Sequence, residues 1–325
     1  VFQIDPSVFD PVNIDPRTLA VNAEVEAALD AAPAAWTLPP QVLRDAREQG
    51  LGFAGPIWTN EAAVTRSIPG PAGDLDLRII RPAGSPTGVY LHIHGGGWVL
   101  GAPHHSDRVL TDLVAGTGVV SVSVDYRLAP EARYPAANDD CEAAARWLRT
   151  HALSEFGTDR LLIGGESAGA HLSLATLLRL RDTDGPGRTG FAGTNLVYGA
   201  YDARMTGSAR RWDGRRLILT DESMRWFYGL FADARFVEQQ DLSPLLADLG
   251  GLPPALLTVG TLDPLLDDSL MLAPLYVKAG NRVELEVFPG GIHAFDAVPQ
   301  DYPLKHQHRE RVVAFLADLL VDVPG

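Results

Sequence analysis

The chain of 325 residues is 46% hydrophobic and 21% charged, which excludes a largely disordered polymer and supplies a sizeable core for one large α/β domain or two ordinary ones. No run approaches the roughly 18–20 consecutive apolar residues that a membrane span needs. With 27 basic against 41 acidic residues the formal charge is −14, which argues against a nucleic-acid partner.

A single cysteine, Cys141, excludes an internal disulfide and a cysteine-built metal cage, and it reads as a small buried hydrophobe in a helix. The first residues hold no basic segment followed by an apolar core, so no signal peptide is read and a cytoplasmic location is expected.

In chain order, residues 1–55 are helical and punctuated by prolines, with helices expected over 17–29 and 42–49; Asp15-Pro16 has the form of a helix start. Residues 64–68 and 75–81 alternate as a hairpin, with Pro69, Gly70, Pro71 and Gly73 in its turn. Apolar runs at 88–93, 119–124, 161–163, 195–198, 255–259 and 283–288 read as buried strands. Helical stretches at 136–151, 168–181, 266–280 and 304–321 separate most of them. This alternation predicts an α/β fold, a mostly parallel central sheet with helices on both faces. Residues 202–240 break the rhythm: they lack a strand pattern and are rich in Arg, Trp and Phe. The expected organisation is a helical cap segment over 1–55 and a catalytic domain over 56–325, with 202–240 inserted as a further part of the cap.

Ligands of such sheets bind beyond the carboxyl ends of the strands, so the loops there are the place to look for chemistry. Gly165-Glu-Ser167-Ala-Gly169 stands between a strand and a helix, the G-x-S-x-G elbow in its proper context. So sharp a turn strains Ser167, exposes its hydroxyl and demands small neighbours; the blander reading is a tight βα turn in which Ser167 caps the helix. His94-Gly-Gly-Gly-Trp98 follows an earlier strand, and its unshielded amides suit an oxyanion hole, with Gly95, Gly96 and the amide of Ala168 as donors. His94 reads as a brace for that loop.

A serine needs a base to remove its proton. His293, just past the last strand, is the candidate. His104 and His105 read as surface or lid residues, His306 and His308 as solvent-facing, and His171 as pointing away from the hydroxyl. The base needs an acid to orient it, and Asp263 after the strand at 255–259 is preferred over its rival Asp202 and over Asp267 and Asp268. Asp263 also has the bland alternative of capping the helix that follows Pro264.

With these residues in place, residues 87–325 resemble the bacterial hormone-sensitive-lipase family of α/β-hydrolase carboxylesterases. The matching motifs are His94-Gly-Gly-Gly-Trp98, Asp125-Tyr-Arg-Leu-Ala-Pro-Glu131, Gly165-Glu-Ser-Ala-Gly169, Asp263-Pro-Leu and His293-Ala-Phe. The order Ser167, Asp263, His293 is the chain order of α/β-hydrolases. Departures are Glu166 where many members carry Asp, Leu266 where Arg is frequent, and His171 where Asn is common. The resemblance implies the α/β-hydrolase fold, hydrolysis of small short-acyl esters, no cofactor, and a homodimer through an edge strand; no metal ligand set is read, and the lack of a long apolar run argues against a membrane partner. A deacetylase, amidase or acyltransferase would carry the same triad, and a non-catalytic small-molecule receptor is the alternative from another class.

Overall fold

The computed structural model describes residues 3–299 and 301–321. Its N-terminal segment carries α1 (Pro16–Asp30) and α2 (Pro40–Glu48). Asp15 caps α1 by accepting from the Arg17 amide, and Pro16 opens the helix where its missing N–H costs nothing.

The hairpin follows as β1 (Val64–Gly70) and β2 (Gly73–Ile80), antiparallel and closed by the Gly70–Gly73 pair. Its turn is tighter than the sequence reading: Pro69 lies within β1, an edge strand where a proline is tolerated. The remaining strands are β3 (Val89–Ile93), β4 (Val120–Val124), β5 (Leu161–Glu166), β6 (Gly193–Val197), β7 (Ala255–Leu262) and β8 (Val283–Ile292). The sheet order is β1-β2-β4-β3-β5-β6-β7-β8, antiparallel at β1 and β2 and parallel from β4 to β8.

The helices are α3 (Asp107–Thr117), α4 (Ala136–Phe156), α5 (Ala168–Asp184), the short α6 (Gly207–Arg210), α7 (Asp221–Phe231), α8 (Leu266–Lys278) and α9 (Pro303–Leu320). Strand alternation divides the core between the two faces of the sheet. Leu91, Val122, Ile163 and Leu257 pack with α4, α5 and α8, whereas Tyr90, Leu162 and Leu256 pack with α3 and α9. Both faces are therefore covered, and β3, β4 and β6 are buried along their whole length. Cys141 is buried in α4 as expected. Two expectations fail. Helix α3 has no counterpart in the sequence reading, and His308 faces the protein interior. It is 6% exposed, lies 3.3 Å from Thr258 Oγ1 and packs against Phe288 and Phe295, because α9 lays that side against the sheet.

The N-terminal segment reaches both the body and the insertion. Asn22 of α1 donates to the Gly290 carbonyl at 2.8 Å, and Arg215 of the insertion pairs with Glu26 at 2.8 Å. Arg44 of α2 donates to the carbonyls of Val99 and Ala129 and pairs with Glu131. Among the described residues no helix is long and apolar enough to cross a membrane.

Candidate active site

The ends of β3, β5, β7 and β8 bring four loops to one edge of the sheet. Ser167 sits between β5 and α5 with φ +54° and ψ −118°, a strained conformation for a residue with a side chain. The flanking glycines allow it. A Cβ on Gly165 or Gly169 would stand 2.0 or 1.8 Å from the Ile93 carbonyl oxygen, so only glycine lets the elbow pack against the end of β3. Ser167 makes no capping bond with its own helix, which removes the capping alternative and leaves the hydroxyl for another partner.

That partner is His293. Its Nε2 lies 2.9 Å from Ser167 Oγ and its Nδ1 lies 2.9 Å from Asp263 Oδ2. A carboxylate can only accept, so Nδ1 carries the proton and Nε2 is left to accept from the serine. The other Asp263 oxygen accepts from the Leu265 amide at 2.8 Å, so the carboxylate is held at both ends and is 1% exposed. Tyr198 supports the imidazole, its ring edge-on with centroids 4.8 Å apart. Its hydroxyl donates to Asp296, three residues beyond His293, tying down the loop.

The structure sends the rival acids elsewhere. Asp202 pairs with Arg204 at 2.7 Å. Asp267 accepts from the Ser208 amide. Asp268 accepts from the amides of Tyr201 and Asp202 and from the Thr206 hydroxyl; burial pushes its pKa up to about 7 against those donors.

The glycine loop differs from its reading at one position. The Gly95 amide donates to Glu166 Oε1 at 2.8 Å, so its hydrogen is committed away from any bound oxyanion. Among the described residues the amides of Gly96 and Gly97 have no hydrogen-bond acceptor. Glu166, noted above only as a departure from the family's Asp, is thus a group that supports the loop. Its second oxygen accepts from His92 Nε2 at 2.9 Å, and His92 Nδ1 meets the Ser123 hydroxyl at 2.8 Å. Burial would raise the Glu166 carboxyl, but His92 and the Gly95 amide outweigh it and hold it below its ordinary range. The signal was available: a carboxylate beside the elbow serine and a histidine two residues before His94.

The rest of the loop is braced as expected. His94 Nδ1 donates to the Gly95 carbonyl at 2.8 Å, and its ring stacks on Tyr126, whose hydroxyl donates to the His94 carbonyl. Burial pushes the His94 imidazole down to about 4, which keeps it neutral near pH 7. Trp98 donates to His171 Nδ1 at 3.0 Å, and His171 Nε2 donates to the Asp241 carbonyl at 2.7 Å. His171 therefore ties the glycine loop to the end of the insertion.

Comparisons with known proteins agree with this fold. The family described as alpha/beta hydrolase fold matches residues 90–297. The carboxylic ester hydrolase LipN of Mycobacterium tuberculosis is 35% identical over 70% of this chain, a match that spans 63% of LipN's own length. The carboxylesterase NlhH of the same organism is 36% identical over 64% of this chain and 66% of its own length. The chain thus spans just under two thirds of these two curated relatives. Esterase LipI, also of M. tuberculosis, is 30% identical over 90% of this chain and 88% of its own. Among solved structures, a thermostable esterase from Pseudomonas putida superposes with a TM-score of 0.85 at 27% identity, covering 94% of this chain and 98% of that one. The hyperthermophilic esterase of Pyrobaculum calidifontis gives 0.84 at 28% identity, covering 95% and 99%. The chain belongs to the α/β-hydrolase fold family, in the hormone-sensitive-lipase-like group that its motifs resemble.

Proposed function

We propose that the protein is a serine carboxylic ester hydrolase that cleaves short-acyl esters through an acyl-enzyme. The observation that carries this reading is the unbroken run of hydrogen bonds from Ser167 through His293 to Asp263, each 2.9 Å long. The names of the relatives, all esterases or ester hydrolases, support it further.

Ser167 Oγ attacks the ester carbonyl carbon as His293 Nε2 takes the hydroxyl proton. Asp263 stabilises the imidazolium without itself taking the proton. The negative charge that develops on the carbonyl oxygen is held by the amides of Gly96, Gly97 and Ala168, the last reinforced by the start of α5. The tetrahedral intermediate collapses, the C–O bond to the alcohol breaks, and His293 returns its proton to the leaving alkoxide. Water then enters, gives its proton to His293 and attacks the acyl carbon; as the acyl–Oγ bond breaks, His293 returns the proton to Ser167 Oγ and the acid leaves. Every group in these steps belongs to the chain, the ester or water.

Residues 1–55 and 202–240 form a cap over this site in our reading. Support comes from their mutual contacts, the Arg215–Glu26 pair and Arg216 over the Trp36 ring, and from Phe227 of α7. A Cβ on Gly97 would lie 2.3 Å from the Phe227 ring, so an aromatic side chain fills space directly against the glycine loop. That filling favours small acyl groups.

The test is hydrolysis of p-nitrophenyl esters from acetate to palmitate by the wild-type protein and by Ser167→Ala. We expect turnover that is highest on the short esters and lost in the variant. Absence of Ser167-dependent turnover at every chain length would overturn the reading.

A further inference from the structure

The cluster of Glu48, His104 and His105 lies outside the machinery described above and has no part in the proposed ester hydrolysis. Glu48 is the last residue of α2, and the two histidines occupy the single 3-10 turn over Pro103–Ser106, which leads from the glycine loop into α3. His104 Nε2 lies 3.1 Å from Glu48 Oε2, and His105 Nε2 lies 2.7 Å from Glu48 Oε1. The rings stand edge to face with centroids 4.5 Å apart. Neighbouring residues usually point apart, so two adjacent imidazoles converging on one carboxylate is an unusual arrangement. We propose that Glu48, His104 and His105 bind a divalent transition-metal ion of the zinc class, which clamps α2 to the loop beyond β3.

The donor chemistry selects the ion. Two imidazole nitrogens and a carboxylate suit zinc, nickel, cobalt or copper, whereas calcium and magnesium take oxygen donors. The ligand atoms lie within 4.8 Å of one another. Tetrahedral zinc with bonds of about 2.0–2.1 Å separates its donors by roughly 3.3 Å, so the present spacings need small adjustments only. Glu48 can supply them, because its side chain is 51% exposed at the surface. On binding, each imidazole presents its Nε2 lone pair to the metal as its proton moves to Nδ1, and water from the open side completes the coordination.

The surroundings are compatible with a cation. The carboxylates of Asp76 and Asp125 line the polar recess that His104 borders. Arg78 in that recess is paired with Asp107 at 2.5 Å, and the nearby Arg47 directs its guanidinium to the Gly55 carbonyl. The consequence is mechanical. One turn before Glu48, Arg44 already binds the carbonyls of Val99 and Ala129, so an ion at Glu48 adds a second fastening along the same helix.

The experiment titrates zinc chloride into tag-free, chelator-treated full-length protein by calorimetry, with Glu48→Ala and His104→Ala as variants and circular dichroism to verify their folding. The proposal expects one ion per wild-type chain and at least about tenfold weaker binding in each variant. It also expects zinc to raise the melting temperature of the wild type and not that of Glu48→Ala. Wild-type affinity in both folded variants, or no specific binding to the wild type, overturns the site; binding without a rise in melting temperature overturns the clamp. Should one variant fail to fold, Glu48→Gln takes its place, and undiminished binding there overturns the site equally.

Discussion

The two halves of the site are held by different means. On the proposed acid–base side, the groups meet through side chains: His293 bonds to both Ser167 and Asp263, and Tyr198 supports the imidazole. On the proposed oxyanion side, the groups assigned to the work are backbone amides, and the neighbouring side chains hold that backbone in shape. Glu166 fixes Gly95, Tyr126 fixes the His94 carbonyl, and His171 fixes Trp98. A residue type cannot reveal which amide points where, whereas a triad residue advertises its role by its chemistry. The first half should therefore fail sharply when one side chain changes, and the second should degrade by degrees as its supports are removed.

The sharpest break is expected at the acid. Asp263→Asn keeps the shape but leaves His293 free to take the wrong tautomer, and kcat should fall by about 10⁴-fold. Asp202→Asn provides the contrast, because Asp202 is committed to Arg204 and should leave kcat near the wild-type value. A severe loss in the Asp202 variant alone would move the acid assignment. Both are read from initial rates on p-nitrophenyl acetate.

A smaller effect is expected from Glu166. Glu166→Ala strips the acceptor from the Gly95 amide and from His92, so the glycine loop loses its register while every proposed oxyanion donor remains. Deleting such a donor outright costs on the order of 100- to 1000-fold, so a support should cost about 10- to 100-fold. The loss should fall on kcat with KM little changed, because the loop acts on the transition state, and Glu166→Gln should recover part of it through its remaining acceptor oxygen. A change confined to KM would mean that Glu166 shapes ester binding instead.

The same contrast explains what could be read from the sequence. The sheet was legible because its strands are short apolar runs buried on both faces, and β3, β4 and β6 have that form. The elbow was legible because Gly165 and Gly169 meet a hard steric limit set by the Ile93 carbonyl. Helix α3 was missed, since its buried side is narrow and its sequence includes Gly116. His308 was misjudged because α9 buries a histidine among aromatic rings that come from another strand and loop. Gly95 reads from sequence as an oxyanion donor because three successive glycines look alike until the Glu166 carboxylate distinguishes them. The attachment of the N-terminal segment was invisible for a related reason: Arg44, Glu26 and Glu48 find partners far along the chain.

A p-nitrophenyl alkylphosphonate puts the proposed nucleophile, Ser167, to the sharpest test. The reagent should release one equivalent of p-nitrophenolate per active chain, esterase activity should fall in step, and peptide mass mapping should locate the phosphonyl group on Ser167. Full labelling at another residue, or activity that survives complete labelling of Ser167, would show that Ser167 is not the nucleophile.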